Sequence, residues 1–102
     1  MPSADAARAR RQGEALHLEG RLDRAAAIAL WPSLAGLVDG ARTLDLAAVS
    51  GLDSAGLALL AETAARMRRG GAVQVTGSPA GLAELCAAYR LDPRLDYTGA
   101  AP

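Results

Sequence analysis

The first clear pattern in the chain is an alternation. Ala15-Leu16-His17-Leu18-Glu19 puts Leu16 and Leu18 on one side and His17 on the other, the two-residue period of a half-buried strand. The Gln12-Gly13 pair ahead of it predicts a hairpin turn to a weak strand within 6–11, weak because Ala and Arg are poor strand formers. Asp23 is a capping residue type, and the sequence behind it predicts a helix over 25–38 that Gly40 stops and Pro32 kinks or breaks. Residues 43–46 read as a short strand, followed by a loop through Val49, Ser50 and Gly51. Asp53 or Ser54 then opens a helix that runs to about Arg69 and stops at Gly70-Gly71.

The pattern continues in the same manner. Residues 72–76 form another strand with Val73 and Val75 inward. Ser78-Pro79 is a cap followed by proline at the first helical position, so a helix is expected from there. Leu82, Leu85, Cys86 and Tyr89 fall at i, i+3, i+4 and i+7, one apolar stripe. Pro93 ends that helix, and residues 95–98 are a candidate edge strand. Strands alternating with helices imply an α/β fold, a mixed, mostly parallel sheet with helices packed on it. Neither an internal repeat nor a linker interrupts the pattern, so residues 1–102 read as one domain with an ordered core over about 13–97.

Composition sharpens the picture. At 102 residues and 51% hydrophobic, the chain suits one modest core and is not of the disordered class. Aromatics make up 3% and Phe is absent, so Leu, Val and close Ala packing must fill that core. Eleven basic residues, every one Arg, balance 11 acidic ones. That balance argues against nucleic acid or an anionic membrane as partner, since both demand surplus positive charge. The basic stretch around Arg8, Arg10 and Arg11 is followed by no apolar run, so no secretory signal is read, and no stretch is long and apolar enough for membrane insertion. Cys86 is the only cysteine, which fits a reducing compartment, and the expected location is cytoplasmic.

Catalytic and cofactor chemistry find little to work with. His17 lies on the outward phase of its strand and Cys86 on the buried stripe of a helix, where a thiol behaves as a small hydrophobe. They make a poor nucleophile–base pair, because a reactive cysteine needs exposure and a positive neighbourhood. No Cys/His spacing suits a metal. Gly77-Ser78-Pro79-Ala80-Gly81 leads from strand to helix, where phosphates bind, but the phosphate-loop pattern requires a Lys and the chain has none. The dinucleotide fingerprint is absent as well. The chain is therefore expected to be no enzyme and to hold no metal or other cofactor.

The segment Leu44-Asp45-Leu46-Ala47-Ala48-Val49-Ser50-Gly51-Leu52-Asp53-Ser54-Ala55-Gly56-Leu57 resembles the signature of STAS domains. In that family a buried strand leads to Asp-Ser/Thr-small-Gly-Leu at a helix start. Leu18-Glu19-Gly20-Arg21-Leu22-Asp23 is similar to the family's strand-then-helix entry, and residues 85–95 to its final helix and turn. The resemblance implies a single STAS domain, an anti-sigma factor antagonist-like fold used for protein–protein interaction. It also implies that Ser54 is the family's regulatory hydroxyl. Trp31, Gly56-Leu57-Ala58-Leu59-Leu60 and Leu85-Cys86-Ala87-Ala88-Tyr89-Arg90-Leu91 are most similar to the MlaB-like branch, STAS subunits of Mla-type phospholipid ABC transporters. On that branch the partner is the transporter's ATPase subunit, which brings the domain to the inner membrane without inserting into it. The alternative within the family is an anti-sigma factor antagonist switched by phosphorylation of Ser54, with an anti-sigma factor kinase as partner.

Elementary physics supports a contact at this place. A hydroxyl at a helix start lies beside unpaired N–H groups and the positive dipole end, although the neighbouring Asp53 opposes a phosphate and Ser54 also suits a plain cap. Gly56 permits close backbone approach. With Leu57, Leu60, Ala61, Ala64 and Arg68 facing the sheet, Ala55, Leu59, Glu62 and Arg66 fall on the solvent side. Leu59 then extends a smooth patch with Asp53, Ser54, Ala55 and Gly56. Asp23 caps the first helix and borders the patch if both strand-to-helix turns share a sheet end. Asp45 within a buried-looking strand needs partners, which the following loop can supply. Trp31 is expected in the core.

Overall fold

The weak first strand forms, and its neighbours explain why. In the computed structural model, which describes residues 7–91 and Leu95, β1 (Arg8–Gln12) turns at Gly13, with φ +59°, into β2 (Ala15–Leu22), its antiparallel partner. Outward, Arg10 pairs with Glu19 at 2.7 Å; inward, Ala9 packs on the core. The Arg11 guanidinium donates to the carbonyls of Gly13, Leu37 and Asp39, each at 2.7 Å. Side-chain pairing thus overrides poor intrinsic strand preference.

Asp23 caps α1 (Arg24–Leu37), accepting from the Ala26 N–H at 2.9 Å, and Gly40 takes the left-handed φ of +78° beyond its end. The helix is continuous through Pro32, so the break open to a sequence reading does not occur. Proline removes the amide that would bond to the Ile28 carbonyl, and Ile28 is 67% exposed, where solvent can serve that oxygen.

The largest correction concerns the third strand. β3 (Thr43–Leu52) spans ten residues and includes Val49, Ser50 and Gly51, which the sequence pattern assigned to a loop. It runs parallel to β2, with register shifts between His17 and Glu19 and between Gly20 and Arg21. Those irregularities break the alternation, leaving Ala47 and Ala48 both exposed, so the strand does not read as one.

α2 (Ser54–Arg68) follows, with Asp53 as its cap, and leads to β4 (Gln74–Thr76), a strand shorter than the expected 72–76 and parallel to β3. α3 (Leu82–Ala88) begins three residues after Pro79 rather than at it. Gly81, at φ +86° and without a side-chain cap, sets the start, while Ser78-Pro79 belongs to the turn before it. Leu82 and Cys86 of its stripe are buried, but Tyr89 is 52% exposed. Leu95 is buried in a bend; the rest of the candidate strand at 95–98, and Pro93, lie outside the described residues.

The sheet order is β1-β2-β3-β4, mixed and mostly parallel. α1 packs on β1 and β2, α2 on β2 and β3, and the two helices pack on each other, so both cover one face. Leu16, Leu18, Leu22, Leu44, Leu46, Leu57, Leu60 and Met67 fill the layer between. The opposite face carries Arg10, His17, Glu19, Asp45 and Thr76. Among the described residues no helix is long and apolar enough to cross a membrane.

Candidate functional site

Leu22 and Leu52 are register partners at the carboxyl ends of adjacent parallel strands. The residues after them, Asp23 and Asp53, therefore stand side by side and do the same work. Asp23 Oδ1 accepts from the Ala26 N–H and Asp53 Oδ1 from the Gly56 N–H, each at 2.9 Å. Two helices consequently start next to each other at one end of the sheet, so the two turns share a sheet end, and both caps are aspartates.

Ser54 is thus the first helical residue and not the cap. It is exposed, and its hydroxyl makes no hydrogen bond with the described residues, so it is free to meet another molecule. Asp53 is exposed beside it, Ala55 is half-buried, and Asp23 is half-buried at the edge.

Two residues expected in the same patch lie elsewhere. Gly56 is fully enclosed: a Cβ there would collide with the Leu22 carbonyl group, and the backbone that approaches it belongs to its own chain. Leu59 is 5% exposed and part of the core. Its flank of α2 faces α1 and not solvent, because α2 packs against the first helix as well as against the sheet. The Thr63 hydroxyl, buried on the same helix, is satisfied by the Leu59 carbonyl at 2.7 Å.

Between α1 and α2 runs an open, apolar groove of about 470 Å³, lined by Ala27, Ile28, Trp31, Pro32, Ala55, Ala58, Leu59 and Glu62. Ala55 belongs to both the helix-start patch and this groove. Trp31 is half-buried in its wall, neither fully core nor free, and Arg66 stacks on its ring at 4.4 Å from the centroid. Arg66 Nε is buried, and its nearest acceptor is Glu62 at 3.6 Å, too long for a hydrogen bond.

On the bare face of the sheet, Asp45 has the partners its position demands. It accepts from the Ala47 N–H at 3.0 Å and the Thr76 hydroxyl at 3.1 Å, and its other oxygen lies 2.8 Å from His17 Nδ1. The Ala47 hydrogen bond first, then those from Thr76 and His17, hold its pKa below the ordinary carboxylate value, against the opposing effect of burial. The His17 partnership is absent from the sequence reading. Its signal is the equal offset of His17 and Asp45 from Ala15 and Thr43, which pair in parallel register. This network ties β2, β3 and β4 together and engages His17 with Asp45, whereas Cys86 is buried in the hydrophobic core cluster. Among the described residues no cluster of metal-ligating side chains occurs.

The chain matches no curated protein. A family model described as "Mlab, STAS domain" matches residues 6–96. A solved structure titled "Crystal Structure Analysis of Mglu" is 33% identical with a TM-score of 0.54, covering 74% of this chain and 20% of that one. A second, of Mglu in its native form, is 28% identical with a TM-score of 0.49, covering 72% and 23%. The chain thus spans about a fifth of the length of these solved relatives.

Proposed function

This chain belongs to the STAS domain family, in its MlaB-like division, and from that premise we propose that it is a non-catalytic subunit that binds and supports the ATPase of an Mla-type phospholipid ABC transporter. The observation that carries the reading is the free hydroxyl of Ser54. It stands exposed at the start of α2, beside the start of α1, at the position that the resemblance assigns to the family's regulatory hydroxyl. The surface around it suits a protein: an aspartate caps each helix, and an apolar groove continues from Ala55. Such a partner places the domain at the cytoplasmic face of the inner membrane, held there by the transporter.

The test is affinity purification of the chain from its native host, with the co-eluting proteins and the state of Ser54 both identified. Co-elution of an ABC-type ATPase with Ser54 unmodified supports the proposal. Stoichiometric phosphate at Ser54, with release of a kinase-type anti-sigma factor on modification, replaces it with the sigma-regulatory alternative.

A further inference from the structure

The groove between α1 and α2 and the helix wall beside it form a surface that fits a copy of itself. From Ala25 to Leu37, α1 carries no charged residue, although Ala25, Ile28, Ala29, Pro32, Ser33, Ala35 and Gly36 are exposed. Surface helices normally alternate an apolar stripe with a polar one, and this helix lacks the polar one. Ile28 is the only large hydrophobic side chain on α1 or α2 that is exposed, and it stands on the rim of an apolar groove. A protruding side chain next to an open cleft is the arrangement that a two-fold axis satisfies twice, because each copy supplies both the knob and the hole.

The charges fix the direction of such a pair. α1 and α2 both start at the carboxyl ends of parallel strands, so they run the same way along the groove. Glu62 lies at the end of the groove far from the helix starts; its side chain is 51% exposed, and its ion-pair partner Arg66 stands 3.6 Å away, beyond hydrogen-bond distance, so it can share a second cation. Arg24 lies one turn before Ile28, on the same side of α1, is exposed, and among the described residues has no ion pair. If a second α1 enters the groove antiparallel with its Ile28 between Trp31, Ala55 and Leu59, its Arg24 travels towards Glu62. The symmetry repeats the pair. A parallel arrangement sends Arg24 to Asp23 and Asp53 instead, whose carboxylates are already engaged in capping.

We propose that this face is a homodimer interface, in which Ile28 of each copy occupies the other's α1–α2 groove and Arg24 pairs with Glu62 across the two-fold axis. The contact involves little more than one helix and one groove per copy, which places it among small, reversible interfaces. Because Ala55 is shared with the helix-start patch, a dimer and a heterologous partner at Ser54 compete for the chain. The dimer itself does not depend on the transporter reading.

Sedimentation equilibrium of the purified chain over a range of concentrations tests this without any partner protein. A reversible shift from 10.4 kDa towards twice that mass is expected, with Trp31 emission moving to the red on dilution. Ile28→Glu, at an exposed site, should keep its circular dichroism spectrum and melting transition and weaken association about tenfold or more. The charge pair has its own control. Arg24→Glu and Glu62→Arg each place like charges at both ends of the homodimer and should associate poorly alone, whereas an equimolar mixture restores opposite charges at both ends and should associate. A chain that stays monomeric at its highest soluble concentration overturns the proposal. So does a dimer indifferent to Ile28→Glu, or a mixture that associates no better than its components. Monomers whose Ile28 is protected only by a transporter ATPase would overturn it too, and would leave the proposed function standing.

Discussion

Gly56 seats the second helix on the end of β2: a side chain there would overlap the carbonyl of Leu22, the same oxygen that accepts the Asp53 N–H at 3.2 Å. One backbone oxygen thus fixes both the cap of α2 and the depth at which its first turn sits. Gly56→Ala gains about 1 kcal/mol of helix preference but forces backbone apart, at a cost of about 1–3 kcal/mol. A net loss of stability is expected, seen as a lower urea midpoint with an unchanged slope.

Asp53 and Ser54 separate in the same assay. Asp53→Ala removes the cap and should cost about 1 kcal/mol. Ser54→Ala removes an exposed hydroxyl without a partner and should leave the melting temperature within about 2 °C of wild type. Ser54→Asp should fold equally well, since a carboxylate suits a helix start. A large loss of stability in Ser54→Ala would show that the hydroxyl is structural.

Under the proposed ATPase contact, binding separates the two Ser54 variants that stability leaves alike. Ser54→Ala weakens association by one hydrogen bond, about 0.5–1.5 kcal/mol. Ser54→Asp adds a charge beside Asp53 within the contact and should abolish co-purification. Retention of the ATPase by Ser54→Asp at wild-type strength would move the interface away from this helix start.

Leu59 lies in the core and not on the surface. As a core residue it should behave like one: Leu59→Ala costs about 2–5 kcal/mol in chemical denaturation, and Leu59→Asp should fail to fold. A Leu59→Asp variant melting near wild type would mean that α2 is rotated away from α1.

Asp45 controls the acid limb of stability. Folding lowers its pKa below the ordinary 3.8, so near and below that value the unfolded chain takes up the proton more readily and protonation favours unfolding. Its contribution is full above the unfolded value and is lost as pH falls through the lower folded one. Glu19, held down first by its Arg10 hydrogen bond, acts in the same sense. Asp45→Asn should be less stable than wild type at neutral pH and fall less steeply below about pH 4, as urea midpoints measured at a series of pH values will show.

What the sequence made legible was local. The Asp23 cap, the burial of Leu16 and Leu18, the hairpin turn at Gly13 and the Gly70-Gly71 stop follow from rules that act within a few residues, and the signature around Asp53 and Ser54 carried the family. What it hid depended on partners far along the chain. Periodicity assumes one buried stripe and so puts Leu59 towards solvent, whereas α2 is covered by other helices as well as by the sheet. Bulges at the register shifts of β3 destroy alternation and hide its full length from a pattern reading. The start of α3 moved because Gly81 can adopt φ +86° and terminates the preceding turn. The His17–Asp45 pair spans 28 positions and exists only once two parallel strands are in register.

The shared oxygen of Leu22 has one more consequence. Asp23 and Asp53 come into line only when Leu22 lies beside Leu52, and α2 reaches its depth only when Gly56 slides under that carbonyl. A partner that reads both helix starts therefore recognises a closed central ladder as much as any side chain. A half-folded or slipped chain would offer such a partner nothing, so its binding would double as an inspection of whether this domain has folded.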